Sequence, residues 1–464
     1  MRWWGPLSDI AKQISGWVAQ ARVILTCRQN VWDAGNNHLH DFDVYRNLDW
    51  TPGQVNQVID KWFGENPARG KRLQAELEKS GKERIRDAVK NPLRLTLLCR
   101  TWLQGEGELP ETKAQLYRQF TEALYQWKHE SFPTSGEQRR ELEKALGELA
   151  LAAISGEDSR FRLTHRQVCN TLGDGERYQL AIDLGWLNQV GVAAENPSEK
   201  VYAFWHPTFE EYFAALAVDD WHFFLDHMLE NPAAGTYRIF EKQWKEVILL
   251  WLGRDDVPKV QKEAFIEALV DFEDGCEDLY AYQAFFLAAA GIAEFKDCSI
   301  SNELVDSIVY WGCGWLNIQK EQVEIISRYP IAEMAREVLL HCDRNMAIQA
   351  VVSLLETDIN YFGVLEEAAK ILGKIGTGNE MAIAALVKVI EEYNHNNEWL
   401  VINAVSSLGE VGFEHKIAIE CLENLIANAS CFDICLQAIK NLGEIDPSNE
   451  EPINELVEKF KLDV

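Results

Sequence analysis

Three gapless copies of one phrase constrain this chain more than any other feature of its 464 residues. Ala368-Ala-Lys-Ile-Leu-Gly-Lys-Ile-Gly376, Ala404-Val-Ser-Ser-Leu-Gly-Glu-Val-Gly412 and Ala438-Ile-Lys-Asn-Leu-Gly-Glu-Ile-Asp446 align without insertion. Their central glycines, Gly373, Gly409 and Gly443, stand 36 and then 34 residues apart. A second apolar, helix-period segment follows each copy, at Ala382 to Ile390, Ala418 to Ile426 and Ile453 to Phe460. A two-helix unit of this size cannot bury its apolar face alone, so such units stack into an α-solenoid. Weaker units from Ala284 and from Ala335 to Leu355 extend the array toward the N-terminus, and Asp446-Pro447 with the polar tail suits a terminal cap.

Upstream, the pattern changes to mixed helix and strand. Val23 to Cys27 reads as a short buried strand with Thr26 inside it and Arg28 just past its end. An arginine there can present a fixed, always-charged fork to a phosphate, or simply be solvated. Thr51-Pro-Gly-Gln caps a helix running to Trp62-Phe63, and Asn91-Pro92-Leu93 ends one helix and opens another. Lys113-Ala-Gln-Leu-Tyr117 starts a helix that reaches Trp127. Residues 137–154 predict a helix, Arg160 to Leu163 a short strand, Thr164 a cap for a helix to Leu172, and 176–187 a third helix. Leu187 to Ala193 and Lys200 to Trp205 read as a hairpin across Glu195-Asn-Pro-Ser. Phe204-Trp-His-Pro-Thr-Phe-Glu-Glu-Tyr-Phe-Ala-Ala-Leu216 then turns at Pro207 into an amphipathic helix. Thr208 suits its N-cap, Glu210 and Glu211 its first turn, and Phe209, Phe213 and Leu216 its apolar stripe. His206 sits at the joint, where an imidazole can meet an anion or be satisfied within the loop. From about residue 217 onward the chain reads as almost all helix.

Composition narrows the function. An apolar content of 47% supplies large cores, and a net charge of −28 argues against a general nucleic-acid binder. Ten scattered cysteines with no CxxC pair read as small buried hydrophobes in a reducing compartment. No apolar run is long enough to span a bilayer and Met-Arg-Trp-Trp-Gly-Pro is no signal peptide, so a cytoplasmic protein with no membrane partner is expected. No hydrolase constellation is present. His38, His40, Asp41 and Asp43 read as a solvated loop rather than a metal site, and the carboxylates of 255–279 as wet helix faces.

Taken in order, these phrases resemble the C-terminal portion of NACHT-type signal-transduction NTPases. His206, Thr208, Phe209, Glu211, Tyr212, Phe213, Ala214 and Ala215 fit the family's aromatic-x-His-x-Ser/Thr-Phe-x-Glu-Tyr/Phe-Phe-Ala-Ala pattern at the end of its winged-helix domain. Thr26 and Arg28 occupy its Thr-x-Arg sensor places, Asn91-Pro92-Leu93 its Asn-Pro-Leu, and Lys113 to Tyr117 its Arg/Lys-x-x-Leu-Tyr helix. The repeats are similar in wording to HEAT repeats. The resemblance implies that His206 touches a nucleotide β-phosphate in the resting state, that Pro92 packs on the base, and that Thr26 and Arg28 complete the nucleotide site. The family's Gly-x-x-x-x-Gly-Lys-Ser/Thr phosphate loop and its acidic Walker B strand are absent. The nearest string, Gly64 to Arg72, has the wrong spacing and lies between helices.

The expected fold is mainly α. A remnant of an α/β NTPase core (1–48) is followed by a helical domain (49–132), a winged-helix domain (133–218) and a HEAT-like solenoid (219–464). The chain is expected to be the regulatory and sensing portion of a nucleotide-switched signalling protein, not an enzyme alone. ATP or ADP with Mg would be held only if a missing N-terminal half is supplied; the sequence is expected to be either truncated or completed by a separate chain. Its partners would be a protein trigger on the solenoid and that missing half. The third winged helix, with one arginine against two acids, is poor groove chemistry, which again speaks against nucleic acid. The alternative is a HEAT-repeat interaction scaffold with a vestigial NACHT platform.

Overall fold

The computed structural model describes residues 24, 43–45, 48–79, 82–104, 109–156, 160–192, 196, 198–275, 278–314, 329–357, 362–393, 396–412, 415–428 and 431–445. Of the expected buried strand at 23–27 only Ile24 is described, exposed and in no strand, and the last repeat helix at 453–460 lies outside the described residues. The described part is mainly α, and none of its helices is long and apolar enough to cross a membrane.

A bundle comes first: α1 (Pro52–Trp62), α2 (Pro67–Leu77), α3 (Glu83–Ala88), α4 (Pro92–Gln104) and α5 (Lys113–Lys128). Its starts are written locally. Thr51 accepts the Gln54 N–H while the Gln54 side chain accepts the Thr51 N–H, a reciprocal cap that satisfies two orphan donors. The Asn91 side chain takes the N–H groups of Leu93 and Arg94, and Pro92 fills the first helical position, where no N–H is needed.

Three helices and a small sheet follow: α6 (Gly136–Ser155), β1 (Leu163–Thr164), α7 (His165–Leu172), α8 (Glu176–Asp183), β2 (Leu187–Val192), β3 (Lys200–Phe204) and α9 (Pro207–Leu216). The antiparallel sheet runs β1-β3-β2, with Leu163 opposite Tyr202 and Leu187 opposite Phe204. The first strand begins three residues later than expected, and Thr164 both ends it and caps α7. The third helix stops at Asp183, where Gly185 takes a left-handed turn (φ 82°) into β2.

Residues 217–244 correct the all-helical expectation. Trp221, Phe223 and Phe224 lie on a short 3-10 turn leading to a two-stranded ribbon, Leu225–Asp226 against Thr236–Tyr237. Their aromatic rings pack inward on Trp244, Trp251 and Phe265, so the apolar signal there reports burial and not helix.

The rest is a helical array: α10 (Lys245–Leu252), α11 (Lys259–Val270), α12 (Leu279–Gly291), α13 (Ser301–Gly312), α14 (Tyr329–Leu339), α15 (Arg344–Glu356), α16 (Phe362–Ile375), α17 (Glu380–Tyr393), α18 (Glu398–Val411), α19 (Lys416–Asn428) and α20 (Phe432–Ile445). Two rows form, α15-α17-α19 and α16-α18-α20, each helix resting on the next of its row. The repeat glycines make the second row close. A methyl group on Gly373 would meet Ser407 Oγ at 2.8 Å, and one on Gly409 would meet Asn441 Cγ at 2.5 Å. Ser407 and Asn441 stand two residues before the glycines of their own repeats. Each repeat thus inserts a polar peg where the previous one leaves its side chain off, and Asn441 Nδ2 donates to Val405 O at 2.5 Å.

Candidate functional site

The expected centre is α9. Its N-cap is His206 and not Thr208, because Pro207 takes the first helical position. His206 Nδ1 accepts the Thr208 N–H at 3.3 Å and lies 3.0 Å from Thr208 Oγ1. Only Glu210 falls in the first turn. Glu211 instead pairs with Arg160 at 2.9 Å, and burial still raises its pKa against that arginine's pull.

The stripe of α9 knits two modules together. The Phe209 ring meets Tyr117 at 5.1 Å and Phe120 at 5.4 Å on α5, and Trp186 at 5.4 Å before β2. Phe213 meets Trp186 edge-on at 5.1 Å. Trp205, half exposed, stacks on Phe120 at 5.5 Å. His206 thus lies at the seam between α5 and the sheet. The far end of α9 is gripped by the array: Arg254 donates to the carbonyls of Ala215 (2.6 Å) and Val218 (2.9 Å), and Trp251 Nε1 donates to Val218 (2.9 Å).

Of the other expected site residues, Pro92 is exposed at the start of α4. Thr26 and Arg28 lie outside the described residues, so no geometry joins them to His206. Among the described residues no group of three or more His, Cys, Asp or Glu could hold a metal ion. No disulfide joins the described cysteines, and burial pushes the thiols of Cys99 and Cys313 up to about 12, which leaves them protonated and unreactive.

A second place was not singled out by sequence reasoning. Where the array returns to the bundle, α3, α4 and α5 face α10, α12 and α14–α16 across a cleft of about 570 Å³. Glu246 receives Lys113 Nζ at 2.9 Å and Arg94 Nη2 at 3.2 Å. Burial alone would raise the Glu246 carboxyl, but Lys113 and then Arg94 overturn it and bring it down to about 2. Glu294 accepts the Lys113 backbone N–H at 2.9 Å, capping α5 from the array. Asp87 takes Lys90 at 2.6 Å and Arg344 at 3.2 Å, the latter across 257 residues of sequence. Lys245 and Lys374 also line the cleft and make no ion pair with a described residue. Desolvation first, then Lys245, holds the His341 imidazole below its ordinary pKa. Neither Pro92 nor His206 lines this cleft.

A narrower groove of about 170 Å³ continues from it through Leu340, Lys374 and Ile375 to α18. The charge of the two recesses inverts that of the array. From residue 219 onward the chain carries 18 Lys and Arg against 44 Asp and Glu, whereas the first 218 residues carry 27 against 29. Yet the array lines the two recesses with five cations (Lys245, Arg336, Arg344, Lys370, Lys374) and four acids (Glu246, Glu294, Glu367, Glu410). The scarcity of cations after residue 219 was the available signal, because it makes each one there conspicuous. No protein-family model matches the chain, and no curated protein matches it, so what these places do is argued from their residues.

Proposed function

We propose that this chain is the regulatory and sensing portion of a NACHT-type nucleotide-switched signalling protein. Residues 49–132 serve as its helical lid, 133–218 as a winged-helix hinge and 219–464 as a HEAT-like solenoid that receives a protein trigger. One observation supports the reading above the others: the two ends of α9. His206 caps one end at the seam with α5, and Arg254 and Trp251 hold the other end from the array. A nucleotide phosphate drawn to His206 would act on a helix whose far end carries the sensor. The phosphate loop and Mg²⁺ ligands that such a nucleotide needs are not in this sequence, so the chain alone binds nucleotide weakly and does not turn it over.

The test is thermal unfolding with and without millimolar ADP. A rise in melting temperature that His206→Ala abolishes supports the switch. Absence of any rise, also when a phosphate-loop chain is added in trans, refutes it. In that event the second reading stands, a HEAT-repeat scaffold, favoured by the glycine-and-peg stacking of α16, α18 and α20.

A further inference from the structure

We propose that the cleft between bundle and array is a binding site for a small, multiply charged anion of the oligophosphate type, separate from the nucleotide site assigned to His206. The cleft holds cationic charge left over after pairing. Glu246 and Glu294 are satisfied by Arg94, Lys113 and the start of α5. Asp87 is satisfied by Lys90 and Arg344, and Glu111 pairs with Lys296 at 3.0 Å. What remains facing the space is Lys245 from α10 and Lys374 from α16, with His341 beside them and the exposed Asp49 at the rim. Ammonium groups without carboxylate partners, both on the array side of the cleft, suit the point charges of phosphate oxygens.

Size and lining point the same way. A volume of about 570 Å³ is that of a small-molecule pocket. Leu249, Ala290 and Leu339 supply stretches of apolar wall between the charged groups. In a region where acids outnumber cations by 44 to 18, two of the cations, Lys245 and Lys374, line this recess and form no ion pair with a described residue. Such a ligand would bridge α10 to α16, joining the first helix of the array to one far along it. It would fix the curve by which the array returns to the bundle. It needs no contact with His206 and no phosphate loop.

The experiment is isothermal titration of the full chain with sodium tripolyphosphate at fixed ionic strength. Saturable one-to-one binding is expected, and Lys245→Gln/Lys374→Gln should weaken it by about tenfold or more, since charged hydrogen bonds contribute on that scale. Both lysines are exposed, so the variant should keep the melting temperature of the parent. Lys388→Gln/Lys416→Gln removes two exposed lysines that do not line the recess and should bind as the parent does. His206→Ala should also bind as the parent does, which separates this site from the proposed switch. Absence of binding, or equal loss in the two lysine pairs, overturns the proposal, the second outcome marking general electrostatic attraction. Loss on His206→Ala alone overturns it too, placing the anion at α9.

Discussion

Replacing Gly409 by alanine tests the peg-and-gap account of the repeats. The added methyl would stand 2.5 Å from Asn441 Cγ, 2.7 Å from Nδ2 and 2.8 Å from Cβ. No rotamer of a buried asparagine clears all three, because its own Cβ is one of them. Overpacking of this kind costs about 1–3 kcal/mol. The hydrogen bond from Asn441 to Val405 O, worth about 1 kcal/mol, is put at risk with it. Against this stands the helix preference of alanine over glycine, about 1 kcal/mol. The net expectation is a loss of about 1–2 kcal/mol. Gly443 occupies the same place in the last described repeat, and no described residue comes within 4 Å of a methyl there. Gly443→Ala should therefore stabilise, by about 0.5–1 kcal/mol. Urea unfolding of the full chain, followed by far-ultraviolet circular dichroism, reads both shifts. Midpoints moving in opposite directions are expected. If Gly409→Ala stabilises as Gly443→Ala does, the repeats do not interlock as described. A further check is Gly409→Ala combined with Asn441→Ala, whose cost should fall short of the sum of the single costs.

Other perturbations read other joints. Trp186→Ala empties the ring cluster shared by α9 and the sheet, and should lower stability by about 3–5 kcal/mol in the same urea assay. Arg254→Gln removes the charged hydrogen bonds to the Ala215 and Val218 carbonyls and should cost about 2–3 kcal/mol, with faster amide hydrogen exchange at the last turn of α9. Acid titration should distinguish Glu246. Its folded pKa lies below its ordinary value, so its contribution is whole above pH 4.5 and is lost as pH falls toward 2. Glu246→Gln should therefore show a shallower loss of stability across that window than the parent does. Glu211, raised by burial, works with the opposite sign and is eased by acid.

Legibility followed sequence distance. The caps at Thr51 and Thr164 involve residues three apart, so the sequence carries donor and acceptor in one short window. The hairpin and the repeats were readable because period and turn chemistry are local. Thr208 was mistaken for the cap because a hydroxyl is the commoner cap, and an imidazole taking that place is visible only in the geometry. The aromatic run at 221–224 was mistaken for helix because buried rings look alike in a helix and in a 3-10 turn. The scarce cations after residue 219 are visible in the sequence, but their assembly into a charged cleft is not. Arg94 and Glu246 are 152 residues apart and Asp87 and Arg344 are 257 apart, and nothing in either neighbourhood names the other.

The lopsided distribution of charge has a mechanical consequence. A stack of helices with 44 anions and 18 cations pushes its own coils apart, while the nearly neutral front half does not. Dissolved ions shorten the reach of that repulsion to about 8 Å near physiological ionic strength and to about 3 Å at 1 M. The array should then behave as an electrostatic spring, tightening its pitch when salt is added and relaxing when salt is removed. Small-angle scattering would register this as a radius of gyration that contracts with ionic strength.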